Sequence, residues 1–233
     1  MYGHFIEPKM LLVREMKIQT GFVSNFVVIW DIDISTFNNK VPMEKISQEI
    51  SSLNTDFVLF AWNIVWDAGK EKAIVADIVS PLWDLNSPSF FVSPENSIAS
   101  TLLKSNGFTN ISNITPQVNE TYLIGLSSGI KWNEAIESIK LRSPEDHVIV
   151  INQDPDSILQ FPENIADLSF SSTAGKRINI PFTRKYIFPS SSYFEKGLYN
   201  TEKWRTFITS GISDANFAFR FLNPPEIIKV ETF

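Results

Sequence analysis

The adjacent residues Ser127 and Ser128 are candidate catalytic residues, because the hydroxyl of either serine could act as a nucleophile. A serine nucleophile needs a base, and His147 is the only plausible one. The segment from Gly125 to Gly129 lacks the Gly-x-Ser-x-Gly spacing of the hydrolase turn, and His147 begins an apolar stretch. These residues therefore favour an ordinary helix N-cap at Ser128 over a hydrolase site.

The elements around this turn form a strand, a helix and a second strand. Residues 121–126 predict a short strand, and the spacing of apolar residues over 131–140 predicts an amphipathic helix. The continuous apolar run at 148–151 is typical of a central parallel strand that is covered on both faces. This order implies a right-handed crossover.

The same segment resembles part of the β-ketoacyl synthases, which have the thiolase-like fold. LSSGIKWNEAIESIKL resembles their Cys-(Ser/Ala)-(Ser/Gly)-Gly turn and its helix, and VIVINQD resembles the strand that ends on an acidic residue. IVADIVSPLWDLNSPSF, SIASTLLKSNGF and ENIADLSFSST resemble neighbouring elements, so the likeness covers residues 73–172. Leu126 stands at the position of the family's nucleophilic cysteine, beside Ser127, Ser128 and Gly129, and an alkyl side chain cannot form a thioester.

The resemblance implies a non-catalytic partner or scaffold subunit in acyl or polyketide-type biosynthesis. The catalytic histidines of the family belong to its second half, which 233 residues cannot also contain. The implied partner is an active ketosynthase or an acyl carrier protein. Full ketosynthases dimerise through the strand that leads into the nucleophile turn, so the resemblance implies an interface, or a homodimer, at residues 119–126.

A second pattern, Asp31-Ile32-Asp33-Ile34-Ser35, resembles the opening motif of haloacid-dehalogenase-like phosphatases. The resemblance implies that Asp31 attacks phosphorus, that Asp33 is the general acid, and that both hold Mg²⁺ together with Asp154. Ile34 replaces the usual glycine, and the following segment predicts a hairpin. The alternative is that Asp31 and Asp33 belong to the solvent-exposed face of an antiparallel strand.

Composition narrows the function classes further. The chain has no cysteine and only two histidines, which argues against disulfides, thiolate catalysis and multi-histidine metal centres, and we expect no cofactor. A net charge of −6 argues against nucleic-acid binding, and no apolar run is long enough for a membrane span. Without a secretory signal we expect a cytoplasmic protein. Without a cysteine or a set of catalytic histidines we expect that it is not an enzyme. An unrelated α/β interaction protein, such as an inhibitor or immunity-type binder, fits this composition equally well.

The remaining pattern predicts one α/β domain over 1–233, with helices packed on a mixed sheet and residues 1–20 as a peripheral N-terminal segment. Predicted helices begin at Pro42, at an N-cap Ser93, and near 200. Alternating apolar residues predict a half-buried strand over 22–35. Further predicted strands are a hairpin over 56–80 that turns at Gly69, two strands over 165–172 and 177–188, and a C-terminal hairpin that turns at 223–225.

Overall fold

The computed structural model describes residues 2–30, 32, 41–61, 72–93, 97–112, 114–126, 137, 143, 145–152, 154–162, 165–172, 178–180, 185–187, 193–201, 204–212 and 219–233. The α-helices within these ranges are α1 Tyr2–Phe5, α2 Met43–Ser52, α3 Lys72–Val79 and α4 Ile98–Ser105. Turns of 3-10 helix occupy Glu7–Lys9, Ser80–Leu82 and Pro155–Gln160. The strands are β1 Leu12–Ile18, β2 Ser24–Trp30, β3 Phe57–Ala61, β4 Ser89–Phe91, β5 Thr109–Asn110, β6 Gln117–Val118, β7 Thr121–Leu126, β8 His147–Asn152, β9 Leu168–Ser172, β10 Ile178–Ile180, β11 Lys185–Ile187, β12 Gly197–Asn200, β13 Arg205–Thr209 and β14 Glu226–Thr232.

The strands form two six-stranded mixed sheets and one small hairpin of β10 and β11. The first sheet has the order β1-β14-β2-β3-β4-β5, in which β2 to β5 are parallel and β14 runs antiparallel to β2. The second sheet has the order β12-β13-β9-β8-β7-β6, with β13, β9, β8 and β7 parallel. The predicted α/β class is therefore confirmed, with two sheets in place of one.

The two sheets pack face to face through a core to which both contribute. Phe26 of β2 meets Phe170 of β9 edge-on at 5.9 Å between ring centroids, and Val28, Leu59, Leu123 and Ile151 belong to the same apolar cluster. Successive side chains of a strand point to opposite faces, so the intervening residues Val27 and Ile29 pack instead under the helices. The strand β2 is thus buried on both faces, and the prediction of a half-buried strand over 22–35 is wrong within the described residues.

The helices α2, α3 and α4 cover the outer face of the first sheet. In α2 the apolar residues Ile46 and Ile50 recur at helical spacing and are buried, and the helix begins directly after Pro42, as predicted. The helix α4 has Ser97 as its N-cap, since the Ser97 hydroxyl accepts the Ser100 N–H at 2.9 Å. The predicted N-cap at Ser93 is therefore wrong, whereas Gly107 ends the helix as expected with a φ of +87°.

Several predicted elements are wrong, because the residues form a different kind of element or pair with a different strand. Residues 72–79 are helical and not the second strand of a hairpin, because they form the crossover between the parallel strands β3 and β4. Residues 197–200 and 205–209 are strands in place of the predicted helix. The predicted strand over 177–188 is the hairpin of β10 and β11. The C-terminal strand β14 lies between β1 and β2, so both of its edges are paired and the described residues 219–222 do not form the predicted hairpin with it; residues 216–218 lie outside the described residues.

The strand pattern around 121–172 is confirmed. The strand β7 has the predicted bounds, β8 lies between the parallel strands β7 and β9 with Val148 to Ile151 buried, and β9 occupies 168–172. The predicted helix over 131–140 falls almost entirely outside the described residues.

The sheets approach closely at Gly125 in β7. A Cβ atom at Gly125 would lie 2.6 Å from Cγ2 of Val92 and 2.9 Å from the backbone oxygen of Ile111, both at the end of a strand of the first sheet. A side chain at this position would therefore force the two sheets apart.

Replacing Gly125 with alanine is expected to lower the free energy of unfolding by about 2 kcal/mol, because the added methyl overfills the core. The measurement is urea unfolding followed by fluorescence and circular dichroism. The double variant Gly125→Ala/Val92→Ala removes the nearest methyl, and it should lose less stability than the sum of the two single changes. Strict additivity would contradict the close approach.

Candidate functional site

The parallel strands of both sheets end at one common edge of the molecule, which we call the carboxyl edge. Because β14 runs antiparallel to β2, its first residue Glu226 lies beside the end of β2. Thr209, the last residue of β13 in the other sheet, donates its hydroxyl to Glu226 Oε1 at 2.8 Å. The Ile212 N–H, just beyond β13, donates to the Trp30 carbonyl at 2.9 Å. Loops at such an edge are where open α/β sheets bind ligands, which makes it the candidate site.

A buried carboxylate with two cationic partners occupies this edge. The side chain of Glu226 is 0% exposed, and its Oε2 lies 2.8 Å from Lys196 Nζ and 3.0 Å from Arg14 Nε. Lys196 is itself nearly buried, with 11% of its side chain exposed. Taking charges out of water is costly unless they are paired and hydrogen-bonded, and both conditions are met here.

A second layer of polar contacts surrounds the ion cluster. Lys196 Nζ also donates to Asn223 Oδ1 at 2.8 Å and to Ser210 Oγ at 3.3 Å. The buried guanidinium of Arg220 donates to the carbonyls of Asn223 at 3.1 Å and of Gly211 at 3.2 Å. The network therefore joins the ends of β13 and β14 and the residues between them into one polar unit.

The N-terminal segment closes this network through Glu7. The Glu7 carboxylate is buried, accepts the Leu222 N–H at 3.0 Å, and also accepts the Asn223 N–H. The Gly3 carbonyl accepts the Arg220 N–H at 2.7 Å, and a Cβ atom at Gly3 would lie within van der Waals overlap of the Arg220 backbone oxygen. The N-terminal segment is thus fixed against the 219–225 loop by contacts between residues far apart in the chain.

The electrostatics of the cluster follow from burial and from the neighbouring charges. Burial alone would raise the pKa of the Glu226 carboxyl, but Lys196, Arg14 and the Thr209 hydroxyl together hold that pKa below its usual range. Burial lowers the pKa of the Lys196 ammonium in spite of its contact with Glu226.

The cluster is suited to holding the fold together. Lys196 has three N–H donors, and these are matched by Glu226, Asn223 and Ser210. Both oxygens of Glu226 accept hydrogen bonds from protein donors. These described partners use the hydrogen-bonding groups that a substrate would need. The cluster therefore links the two sheets and holds them together.

The predicted vestigial site is only partly within the described residues. Leu126 ends β7, is 5% exposed and packs with Val150 and Ile208 on the outer face of the second sheet. Ser127, Ser128 and Gly129 lie outside the described residues, as do Asp31 and Asp33. The role of the turn therefore stays a prediction.

His147 lies at the opposite end of β7 from Leu126. The strands β7 and β8 are parallel, and their register places His147 beside Thr121 and Asn152 beside Leu126. The length of the strand β7 separates the two ends, a span of ~17 Å. His147 instead stacks on Phe22 at 4.4 Å and lies 3.5 Å from the Asp167 carboxylate. The described contacts of His147 are thus with Phe22 and Asp167, and the hydrolase alternative stays a prediction because the two serines lie outside the described residues.

Asp154, the third carboxylate of the metal-site alternative, has a local structural role. Its carboxylate accepts the Asp156 N–H at 3.0 Å and so caps the 3-10 turn Pro155–Gln160. Within the part of the chain that the structure describes, no three His, Asp or Glu side chains are grouped so that they could hold a metal ion. The described residues thus do not make up a magnesium site.

No sequence motif points to the residues that the carboxyl edge depends on, which are Glu7, Arg14, Lys196, Arg220 and Glu226. Their only sequence signal is a glutamate, Glu226, that directly precedes the apolar residues of a strand. A carboxylate at the start of a buried strand requires a partner, but the sequence does not say which cation supplies it.

Comparison with known proteins supports the fold class and no particular activity. No model of a known protein family and no curated protein matches the chain. Among solved structures, TT1561 of Thermus thermophilus is similar with a TM-score of 0.51 and 9% identity, over 83% of this chain and 92% of that one. GAP50, the anchor in the inner membrane complex of Plasmodium, has a TM-score of 0.47 and 12% identity over 81% of this chain and 71% of its own. The similarity to TT1561 concerns the fold alone.

None of the helices in the described ranges combines the length and the apolar character that crossing a membrane requires.

Replacing Glu226 with glutamine is expected to destabilise the protein by about 3 kcal/mol at neutral pH, because Lys196 is then buried without its counter-charge. The pKa of Glu226 is lower in the folded chain, so its stabilisation is complete above the ordinary glutamate pKa of about 4.3 and is lost as the pH falls below it. The unfolding midpoint in urea, measured from pH 3 to 7, should therefore fall more steeply for the unchanged chain than for Glu226→Gln.

The matched control is Glu231→Gln in the same strand, where the side chain is 34% exposed. This change should have a much smaller effect on stability. Equal losses of stability from the two substitutions at neutral pH would contradict the conclusion that Glu226 holds the two sheets together.

Proposed function

We propose that this chain acts by binding a protein partner and carries out no chemistry of its own. The observation that supports this proposal is a group of exposed apolar side chains on the N-terminal segment and the adjoining loop, which we call the N-terminal apolar surface. Its members, each 41–59% exposed, are Tyr2, Phe5, Ile6, Met10, Leu12 and Leu222. Contiguous apolar surface of this kind marks interaction sites on soluble domains.

Backbone hydrogen bonds and one side-chain contact connect the segments that carry these residues. The Tyr2 hydroxyl lies 3.8 Å from the Met10 sulfur, and the Ile6 N–H donates to the Tyr2 carbonyl at 3.0 Å. Leu222 is adjacent because its N–H donates to Glu7, and Leu12 is held by a bond from its N–H to the Pro225 carbonyl at 2.9 Å. These contacts tie together two segments that are distant in the sequence and that both carry exposed apolar side chains.

The buried network beneath this surface keeps it in one conformation. Glu7 and Arg220 are 1% and 0% exposed, and their hydrogen bonds tie the N-terminal segment to the loop that carries Leu222. A surface that is ordered before binding loses less conformational entropy when a partner docks. Exposed aromatic and methionine side chains on a rigid base are the composition expected of an interface core.

The resemblance to ketosynthases makes an active ketosynthase or an acyl carrier protein the partner to test first. The same resemblance proposes residues 119–126 as a contact region. In the described part of the second sheet, β6 pairs only with Thr121 and Tyr122 of β7, which leaves the rest of that edge without a strand. An unpaired strand edge can accept a strand from a partner.

Replacing Ile6 with glutamate is expected to weaken binding to the partner at least ~10-fold, because it puts a charge into the centre of the apolar surface. The measurement is the affinity of the purified chain for a purified ketosynthase and, separately, for an acyl carrier protein. The fold should be unchanged, since Ile6 is 52% exposed.

Leu159→Glu is the matched control, because Leu159 is 55% exposed but belongs to the 3-10 turn Pro155–Gln160 and not to the N-terminal segment or the 219–225 loop. Equal affinities of all three chains would contradict the assignment of the N-terminal apolar surface. Failure of both probes to bind the unchanged chain would count against the ketosynthase partnership.

A second candidate function is Mg²⁺-dependent hydrolysis of a phosphate ester that begins at Asp31. The observation that favours it is the topology after β2: β2 pairs in parallel with β3, and residues 72–79 are helical, so they do not form the hairpin that argued against this motif. Asp31 directly follows Trp30, the last residue of β2 at the carboxyl edge. The buried hydroxyls of Ser171 and Ser172, at the end of β9, have no hydrogen-bond partner among the described residues.

The two candidates predict opposite results with p-nitrophenyl phosphate and Mg²⁺. If the chain works by association alone, the release of p-nitrophenol should not exceed the rate in buffer. Hydrolysis that depends on Mg²⁺ and is abolished in Asp31→Asn would overturn the non-catalytic proposal. The variant should unfold at the same urea concentration as the unchanged chain, so that a loss of activity reports on chemistry.

A further inference from the structure

The strand β1 is the outermost strand of the first sheet, and one of its edges faces no other described strand. The Leu12 N–H donates to the Pro225 carbonyl and the Ile18 carbonyl accepts the Phe233 N–H, so the backbone groups of Leu12 and Ile18 point toward β14. Backbone groups alternate in direction along a strand, so those of Val13, Glu15 and Lys17 point to the open edge. This edge therefore offers an extended row of N–H donors and carbonyl acceptors.

The side chains of the same residues carry opposite charges on one face. Glu15 and Lys17 stand opposite Lys229 and Glu231 of β14, with Lys17 3.0 Å from Glu231 and Lys229 2.9 Å from Glu231. Their side chains lie on the outer face of the sheet, and they are 62% and 69% exposed. The open edge is therefore bordered by one acidic and one basic residue that are separated only by Met16.

This pattern is complementary to itself in one antiparallel register. Consider β1 paired with β1 of a second copy so that the two Met16 residues lie opposite each other; we call the line where the two strands meet the seam. Glu15 of each copy then lies opposite Lys17 of the other, which gives two such pairs across the seam. Both residues point their backbone groups to the open edge, so these are hydrogen-bonded pairs that exchange N–H and carbonyl bonds. Opposite charges directly across an antiparallel pair are stabilising. Centring the seam on Glu15 or Lys17 would place like charges opposite one another.

We infer that two copies of this chain associate through β1, forming one continuous sheet that crosses a two-fold axis at Met16. The two copies contribute the same residues, as an isologous interface requires. The pairing also covers an edge that would otherwise be open to strands of other proteins. This association uses the strand edge and does not rest on the function proposed above.

Charge reversal at the seam tests this inference, with self-association measured by sedimentation equilibrium over a range of concentrations. Glu15→Lys puts a lysine opposite Lys17 of the second copy on both sides of the axis, and the dissociation constant should rise about tenfold or more. Lys17→Glu should have the same effect. The double variant Glu15→Lys/Lys17→Glu restores opposite charges across the seam and should return the dissociation constant to within about threefold of its original value.

Thermal unfolding separates this effect from changes within one chain. In the double variant the lysine at position 15 faces Lys229 and the glutamate at position 17 faces Glu231, so contacts within the chain become unfavourable while those across the seam are restored. The double variant should therefore melt at the lowest temperature when monomeric and still dimerise. Glu44→Lys on the exposed side of α2 makes the same change in net charge as Glu15→Lys and should leave dimerisation unaltered.

Three results would overturn the inference. One is a chain that stays monomeric at all concentrations. Another is a dimer that Glu15→Lys and Lys17→Glu do not weaken, which would place the interface elsewhere. The third is a double variant that associates less well than either single variant, because the charges would then act within one chain.

Discussion

The ion pair between Glu226 and Lys196 is the contact on which the arrangement of the two sheets depends at the carboxyl edge. Glu226 begins β14 in the first sheet, whereas Thr209, which donates to the same carboxylate, ends β13 in the second. The apolar core between the sheets supplies most of the driving force, but apolar contacts do not fix one direction of approach. A buried ion pair does fix the relative position of the two sheets, because any displacement that separates the two charges leaves each of them unpaired and without water.

The same cluster explains why the N-terminal segment is ordered on the surface of the fold. Arg220 and Asn223 hold the loop before β14, and Glu7 binds the backbone of that loop from the other end of the chain. Without these buried contacts a four-residue helix such as α1 would not be stable, because short helices need tertiary support. Exposed residues such as Phe5 and Ile6 are consequently presented in a fixed arrangement by polar groups that lie beneath them.

The parts of the fold that were predictable from sequence are those with a strong local pattern. The apolar run of β8 indicated a central parallel strand, and Pro42 with Ile46 and Ile50 indicated α2, because each pattern is complete within a few residues. The segment 72–79 was misassigned since its β-branched residues favour a strand, yet Val75 and Val79 are spaced for a helix that packs on the first sheet. Tertiary packing overrode local propensity there, and the sequence alone offers no measure of that packing.

The carboxyl edge was not predictable for a different reason. Glu7 and Asn223 are 216 positions apart, and no spacing rule connects a carboxylate near one end of a chain with backbone donors near the other. The serine turn and the aspartate pair are recognisable in the sequence because their residues are close together in the chain, whereas the fold alone brings the residues of the carboxyl edge together. Here the charged residues at the carboxyl edge satisfy one another, with each donor of Lys196 matched by an acceptor. A cluster of that kind resists exchange with solvent or ligand, so the surface it supports, and not the cluster itself, is where binding is to be sought.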